Sequence, residues 1–197
     1  MTERLEQQIA FLNEADKLKS VVRGTTLCDA SRYENSAEHS WHLTLYALVL
    51  ADQAGPDVDI TRVIKMLILH DLVEIDAGDN PIFGDYDAQA MQVSELAAAD
   101  RIFGLLPDDL RADLRSIWEE FEAAKTASAQ FAKSLDRFQP PMQNLQSGGG
   151  SWNDYNVSQT QIAEKVGAKI AIGAPALWAF AKAKIATFFA NRPTDQT

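Results

Sequence analysis

At 197 residues, with 46% hydrophobic and 23% charged residues, the chain has the length of one domain with a sizeable core and a composition unlike that of disordered or membrane chains. A net charge of −10 with no run of Lys and Arg excludes nucleic-acid polymers, but admits a small phosphorylated metabolite, whose charge one Arg and one metal ion can offset. Cys28 is the only cysteine, which excludes an internal disulfide framework and a thiolate zinc site.

The opening stretch MTERLEQQIAFLNEADKLK is charged throughout, lacks the apolar core of a signal peptide, and predicts a helix over 3–20 with Leu5, Ile9 and Leu12 at helical spacing. Arg23-Gly24 and a threonine pair predict a loop. Asn35 followed by Glu38 is a helix-start signal, after which His39, Leu43, Tyr46 and Leu50 advance along one core-facing stripe. Beyond Gly55-Pro56, Asp59 can cap a helix in which Val63, Leu67, His70 and Glu74 form one stripe and Ile64, Ile68 and Asp71 its neighbour, until Gly78 stops it.

Residues 79–87 hold too many turn formers for a regular element and predict a loop beside that helix. Three further helices follow, over 91–103, 110–121 and 127–145, with Pro107 at a helix start and Pro140-Pro141 predicting a kink or break. The glycine-rich stretch 148–156 is a candidate active-site flap, in which Trp152 and Tyr155 either stack on a bound base or anchor the loop to the core. Ser158 with Gln161 forms a capping box, Pro175 can begin a last helix, and residues 192–197 read as a frayed tail. Strand alternation and repeats are absent, so the predicted class is a compact all-α bundle in a single domain over 1–197. Its motifs fall within about 15–140, and helices over 158–190 pack on that part. No apolar run approaches the ~20 residues needed to cross a bilayer, and Lys182 and Lys184 interrupt AFAKAKIATFFA, so the expected location is the cytoplasm.

The residues that carry chemistry centre on His70-Asp71. With three histidines and seventeen aspartates, a His-Asp pair arises by chance about one time in four, so the dipeptide alone decides nothing. Its neighbours add weight. Glu74 lies one turn beyond His70, His39 lies on an apolar stripe, and Asp136 lies among Phe131, Leu135 and Phe138, where a charge needs a partner or a metal. Two imidazoles and two carboxylates on helices suit a divalent ion such as Mn²⁺, Fe²⁺, Co²⁺ or Zn²⁺ with positions open to water and substrate; hydrogen-bonded core polar residues are the alternative.

The segments ENSAEHS, HDLVEIDAGD, LLPDDLR, SIWEEFE and FAKSLDR resemble, in order and spacing, those of the HD-domain phosphohydrolases, in particular the 5'-deoxynucleotidase branch, over about residues 15–190. The resemblance implies an HD-domain bundle and a metal-dependent phosphomonoesterase acting on a nucleoside 5'-monophosphate. His39, His70, Asp71 and Asp136 match the family's ligands to one divalent ion, here Mn, Co, Fe, Zn or Mg. Glu74 matches a catalytic acid/base, Asp79 a second catalytic carboxylate that positions water or leaving group, and Arg23 a phosphate-contacting arginine. A homodimer is implied in the same way. The nucleotidases carry a tryptophan shortly after that arginine, whereas this chain reads Gly24-Thr25-Thr26-Leu27, which leaves deoxyribose selectivity open. HD folds that resemble this one also cleave phosphodiesters or alarmones, and a catalytically lapsed nucleotide-binding regulator is a further alternative. His42 is expected to be an ordinary hydrogen-bonding histidine, and Lys133 a solvated lysine that could instead help hold a phosphate.

Overall fold

The computed structural model describes residues 2–192. Helix α1 (Thr2–Ala15) closes in a 3₁₀ turn, Asp16–Ser20, so the stretch predicted as one helix is wound in two ways. Leu5, Ile9 and Leu12 are all exposed, and Phe11 is the residue of α1 that reaches the core. Where the sequence predicts a loop there is instead a small antiparallel sheet of β1 (Val22–Thr26) and β2 (Tyr33–Asn35). Strands of five and three residues with an irregular register are too short to show a period of two. The fold is otherwise helical, as expected.

Helix α2 (Ser36–Val49) starts at the predicted capping box: the Glu38 amide donates to the Asn35 side chain at 2.9 Å and the Asn35 amide to the Glu38 carboxylate at 3.1 Å. Helix α3 (Ile60–Leu69) is capped by Asp59, whose side chain accepts from the Arg62 amide, and it buries Val63, Met66 and Leu67. The single helix expected through to Gly78 is interrupted after Leu69. The amides of Leu72, Glu74 and Ile75 each donate three residues back rather than four, and helical winding resumes for one turn in α4 (Glu74–Ala77). Gly78 ends it with φ +75°, a conformation that favours glycine.

Helices α5 (Ala88–Phe103), α6 (Asp108–Ala123) and α7 (Ala127–Gln146) contain the three predicted spans. No break occurs at Pro140-Pro141, and α7 runs through both. The prolines remove the amides that would bond the carbonyls of Asp136 and Arg137, yet α7 keeps its course because it packs against α2, α3, α6, α10 and α11. The expected flap is a short helix, α8 (Ser151–Asp154), with Trp152 buried against Phe188 and Phe189. The tryptophan therefore anchors the segment and is not free to close over a ligand. Helix α9 (Gln159–Ile162) starts at the Ser158 capping box and leads through a π turn, Ala163–Gly167, into α10 (Ala168–Gly173); α11 (Pro175–Ala190) begins at Pro175. Beyond Arg192, the predicted tail lies outside the described residues.

A single apolar cluster runs from Phe11 to Ile185, with Phe131, Ala132 and Leu135 of α7 fully buried at its centre. Helix α10 is pressed against α7 closely enough that the Gly173 amide donates to Ser134 Oγ at 3.1 Å, and a Cβ on Gly173 would lie 2.3 Å from the Gln130 carbonyl oxygen. That neighbour is helix backbone and cannot rotate away. Gly173→Ala is therefore expected to destabilise the fold by about 1–3 kcal/mol, read as a lower urea midpoint at unchanged slope. A midpoint equal to that of the unaltered chain would show that the two helices separate freely.

Candidate metal centre

His39 lies in the first turns of α2 and is fully buried. Its Nδ1 lies 3.1 Å from Gln139 Oε1. Gln139 commits its amide nitrogen to Glu34 and His42, so its oxygen is left to accept from His39. The other ring nitrogen, Nε2, lies 3.1 Å from Asp136 Oδ1. His70 closes α3, and its Nδ1 is 2.8 Å from the Leu67 carbonyl. A carbonyl only accepts, so Nδ1 carries the proton of the neutral ring and Nε2 presents a bare lone pair. That Nε2 is buried and has no hydrogen-bond partner among the described residues. It faces acceptors instead, with Asp71 Oδ1 at 2.9 Å and Asp136 Oδ1 at 3.8 Å.

One ligand atom each from His39, His70 and Asp136 lie within 4.8 Å of one another. Buried groups converging in this way need a cation among them: without a metal it is a proton on His39 Nε2 shared with Asp136, and ligand atoms within 4.8 Å of one another also suit a single ion with bonds about 2.1 Å long. The donor set therefore fits a divalent metal. Asp71 sits at the edge of this cluster, one oxygen toward His70 and the other accepting from Arg23 Nη1 at 3.0 Å.

Electrostatics follow from crowding. Arg23, on β1, is buried and lies within 4 Å of carboxylate oxygens of Glu34, Asp71, Glu74 and Asp79. Burial alone would push the Asp71 carboxyl up, but His70, Arg23 and His39 hold it down at about 2. Asp136 is likewise held well below the usual range, because Arg137 and the two histidines outweigh its burial. Burial and Arg23 oppose a charge on His39, yet Asp136 and Glu34 raise it to about 9. Glu74 behaves oppositely. Burial and the neighbouring Asp71 push its carboxyl well above the usual range, Arg23 only partly offsetting them, and Ser36 Oγ donates to it at 2.6 Å. Burial also raises Asp79, whose Oδ2 accepts from the Gly24 amide at 3.2 Å.

Beside this cluster a cavity of about 80 Å³ is lined by Arg23, Gly24, Asp79, Arg137 and Tyr155. A wider one of about 300 Å³ shares Arg23, Gly24, Asp79 and Tyr155 and includes Tyr33 and Asp154. A larger cavity, about 1030 Å³, lies between α2, α7 and α11 and is mostly apolar, with none of the predicted site residues in its lining.

All seven predicted site residues thus gather in one region, with His39, His70 and Asp136 at the centre and Asp71, Arg23, Glu74 and Asp79 around it. Glu34, Ser36 and Gln139 join them without having been singled out. Glu34 lies in a three-residue strand, where no helical period marks it, although it opens the ENSAEHS motif. Gln139 lies one turn after Asp136 on α7, a spacing that could have flagged it. His42 is half-buried and pairs with Gln139. Lys133 is engaged rather than free, 2.9 Å from Glu122 and 3.9 Å above the Phe121 ring.

Comparison with known proteins follows the same line. The model of a family described as "HD domain" matches residues 15–178. The human 5'-deoxynucleotidase HDDC2 is 30% identical over 130 residues, 66% of this chain, and the match spans 62% of the human protein's length. The Bos taurus protein of the same name is 28% identical over 75% of this chain and 73% of its own. A crystal structure titled a predicted metal-dependent phosphohydrolase, from Magnetospirillum magnetotacticum MS-1, superposes with a TM-score of 0.88 at 42% identity over 95% of this chain and 96% of that one. The PH0347 protein of Pyrococcus horikoshii OT3, 19% identical with a TM-score of 0.66 over 89% of this chain and 99% of its own, shares the fold. With the family match spanning the same stretch that carries the histidine and aspartate cluster, this chain belongs to the HD-domain family.

Proposed function

We propose that this protein is a metal-dependent phosphohydrolase that removes phosphate from a nucleoside 5'-monophosphate. The observation that carries the reading is the bare, buried Nε2 of His70 facing the carboxylates of Asp71 and Asp136 beside His39. The names of the relatives support the nucleotide substrate, and the cavity next to Arg23 supports a small phosphomonoester rather than a polymer.

In this reading His39, His70, Asp71 and Asp136 hold one divalent ion, whether Mn, Co, Fe, Zn or Mg. When bound, such an ion polarises a phosphate oxygen and acidifies a water molecule. The remaining residues are assigned by what surrounds them. Glu74, whose carboxyl burial and Asp71 push well above its usual range, acts as general acid/base. Asp79, fixed by the Gly24 amide, orients the water or the leaving oxygen at the cavity wall. Arg23 holds the substrate phosphate near the carboxylates it already balances.

The reading extends to a cytoplasmic homodimer. Trp41, Leu45, Leu48 and Val49 leave an exposed apolar strip along α2 that supports pairing, and no helix among the described residues is long and apolar enough to cross a membrane.

Two outcomes test the function. The chain purified without chelator is expected to carry about one divalent ion by elemental analysis, and His70→Ala or Asp136→Ala to carry less than about a tenth of that, since each removes a first ligand. Full metal content in both variants would place the ion elsewhere. In a phosphate-release assay over a panel of nucleoside monophosphates, His70→Ala and Asp71→Ala should abolish turnover. Glu74→Gln should keep the metal while losing about 10²- to 10⁴-fold in kcat. Undiminished release by the Glu74→Gln protein would remove that residue from the chemistry.

A further inference from the structure

Five carboxylates, those of Glu34, Asp71, Glu74, Asp79 and Asp136, crowd around the site, and the one guanidinium buried among them is Arg23. Arg23 is already partly engaged. One of its terminal nitrogens donates to Asp71 at 3.0 Å and lies within 4 Å of Glu74 and Asp79, while its Nε faces Glu34 at 3.3 Å. A phosphate monoester brings up to two further negative charges into this region. Arg23 is thus shared between these acidic groups and the incoming phosphate, even with a divalent ion present.

Arg137 offers the missing charge. It follows Asp136 directly on α7, and residues 137, 140, 141 and 144, at helical spacing, all line the same cavity as Arg23 and Asp79. Among the described residues the Arg137 side chain makes no hydrogen bond. Its one ionic neighbour is Asp136, with Nε 3.7 Å from Oδ2, the oxygen turned away from His39 and His70. A guanidinium carries five donors in a fixed fork that matches phosphate oxygens, and here that fork is uncommitted, 38% exposed, beside the cavity and next to a residue of the metal cluster.

We propose that Arg137 is a second phosphate-binding arginine, which donates to the substrate phosphate from the α7 side of the cavity while Arg23 acts from the β1 side. This assignment rests on the phosphohydrolase reading for its substrate, but binding of phosphate tests it without turnover.

The experiment is calorimetric titration of inorganic phosphate into the full-length protein with Mn²⁺ in excess, alongside kcat and KM on the nucleotide that is turned over best. Arg137→Ala is expected to weaken phosphate binding and raise KM by about 10- to 100-fold, the range of a lost charge-assisted hydrogen bond, and Arg137→Lys to recover most of the loss. Arg111→Ala, an exposed arginine on α6, should match the unaltered protein. Phosphate affinity within twofold of the unaltered chain in Arg137→Ala would overturn the proposal. So would a loss reversed by raising Mn²⁺, since Arg137 would then be supporting Asp136 rather than the ligand. If no nucleotide is hydrolysed yet Arg137→Ala still weakens phosphate binding and Arg137→Lys restores it, the hydrolase reading fails while this assignment stands.

Discussion

The structure depends on the burial of more carboxylates than its one interior guanidinium can neutralise. Glu34 on β2, then Asp71, Glu74 and Asp79 from the end of α3 through α4 to the loop beyond, and Asp136 on α7 converge from three parts of the chain. Burying an ionised carboxylate without a partner costs several kcal/mol, roughly, even after relaxation, so a fold that gathers these acidic groups, Glu74 alone among them pushed well above its usual range, needs compensating cations at defined points. Arg23 is one such cation, and in the proposed function a divalent metal ion is the other. The two histidines serve the second, because each has its Nδ1 tied to an oxygen, of Gln139 or of the Leu67 carbonyl, and so presents Nε2 to the cluster.

This constraint explains local features that propensity alone does not. A continuous helix through residues 60–77 would satisfy the apolar pattern. The chain turns at His70–Val73 instead, and the three-residue step from Asp71 to Glu74 is held by the hydrogen bond from the Glu74 amide to the Asp71 carbonyl. The Trp118 indole then donates to the His70 carbonyl, and the Phe121 ring edge packs on the His70 imidazole. The two-stranded hairpin has a similar purpose: too small to add much stability, it brings Arg23 and Glu34 face to face at the open end of the helical cluster.

How much of this was legible in the sequence follows from the range of each signal. Helix positions were read well where caps and spacing agree, as at Asn35, Asp59, Ser158 and Pro175, since those signals act within one turn. Burial was read less well, because periodicity gives the face of a helix but not which face is covered: Leu5, Ile9 and Leu12 point outward while Phe11 points in. The hairpin was missed because its strands are shorter than the alternation that announces a strand. The pair Pro140-Pro141 failed to break α7 because packing on its flanks outweighs two lost hydrogen bonds. In the site, His70 and Glu74 were legible from their four-residue spacing, although the helix is interrupted between them. Glu34 and Ser36 lie before and at the first residue of α2, so no helical period marks them, although both lie in the ENSAEHS motif.

The central claim is that His39, His70 and Asp136, with Asp71 at their edge, hold a single divalent ion. Anomalous diffraction from crystals grown with Mn²⁺ tests it most directly. The account predicts one strong peak about 2.0–2.3 Å from His39 Nε2, His70 Nε2 and Asp136 Oδ1, with an Asp71 oxygen within coordinating reach. No peak there, or a peak bound by other residues, would contradict it.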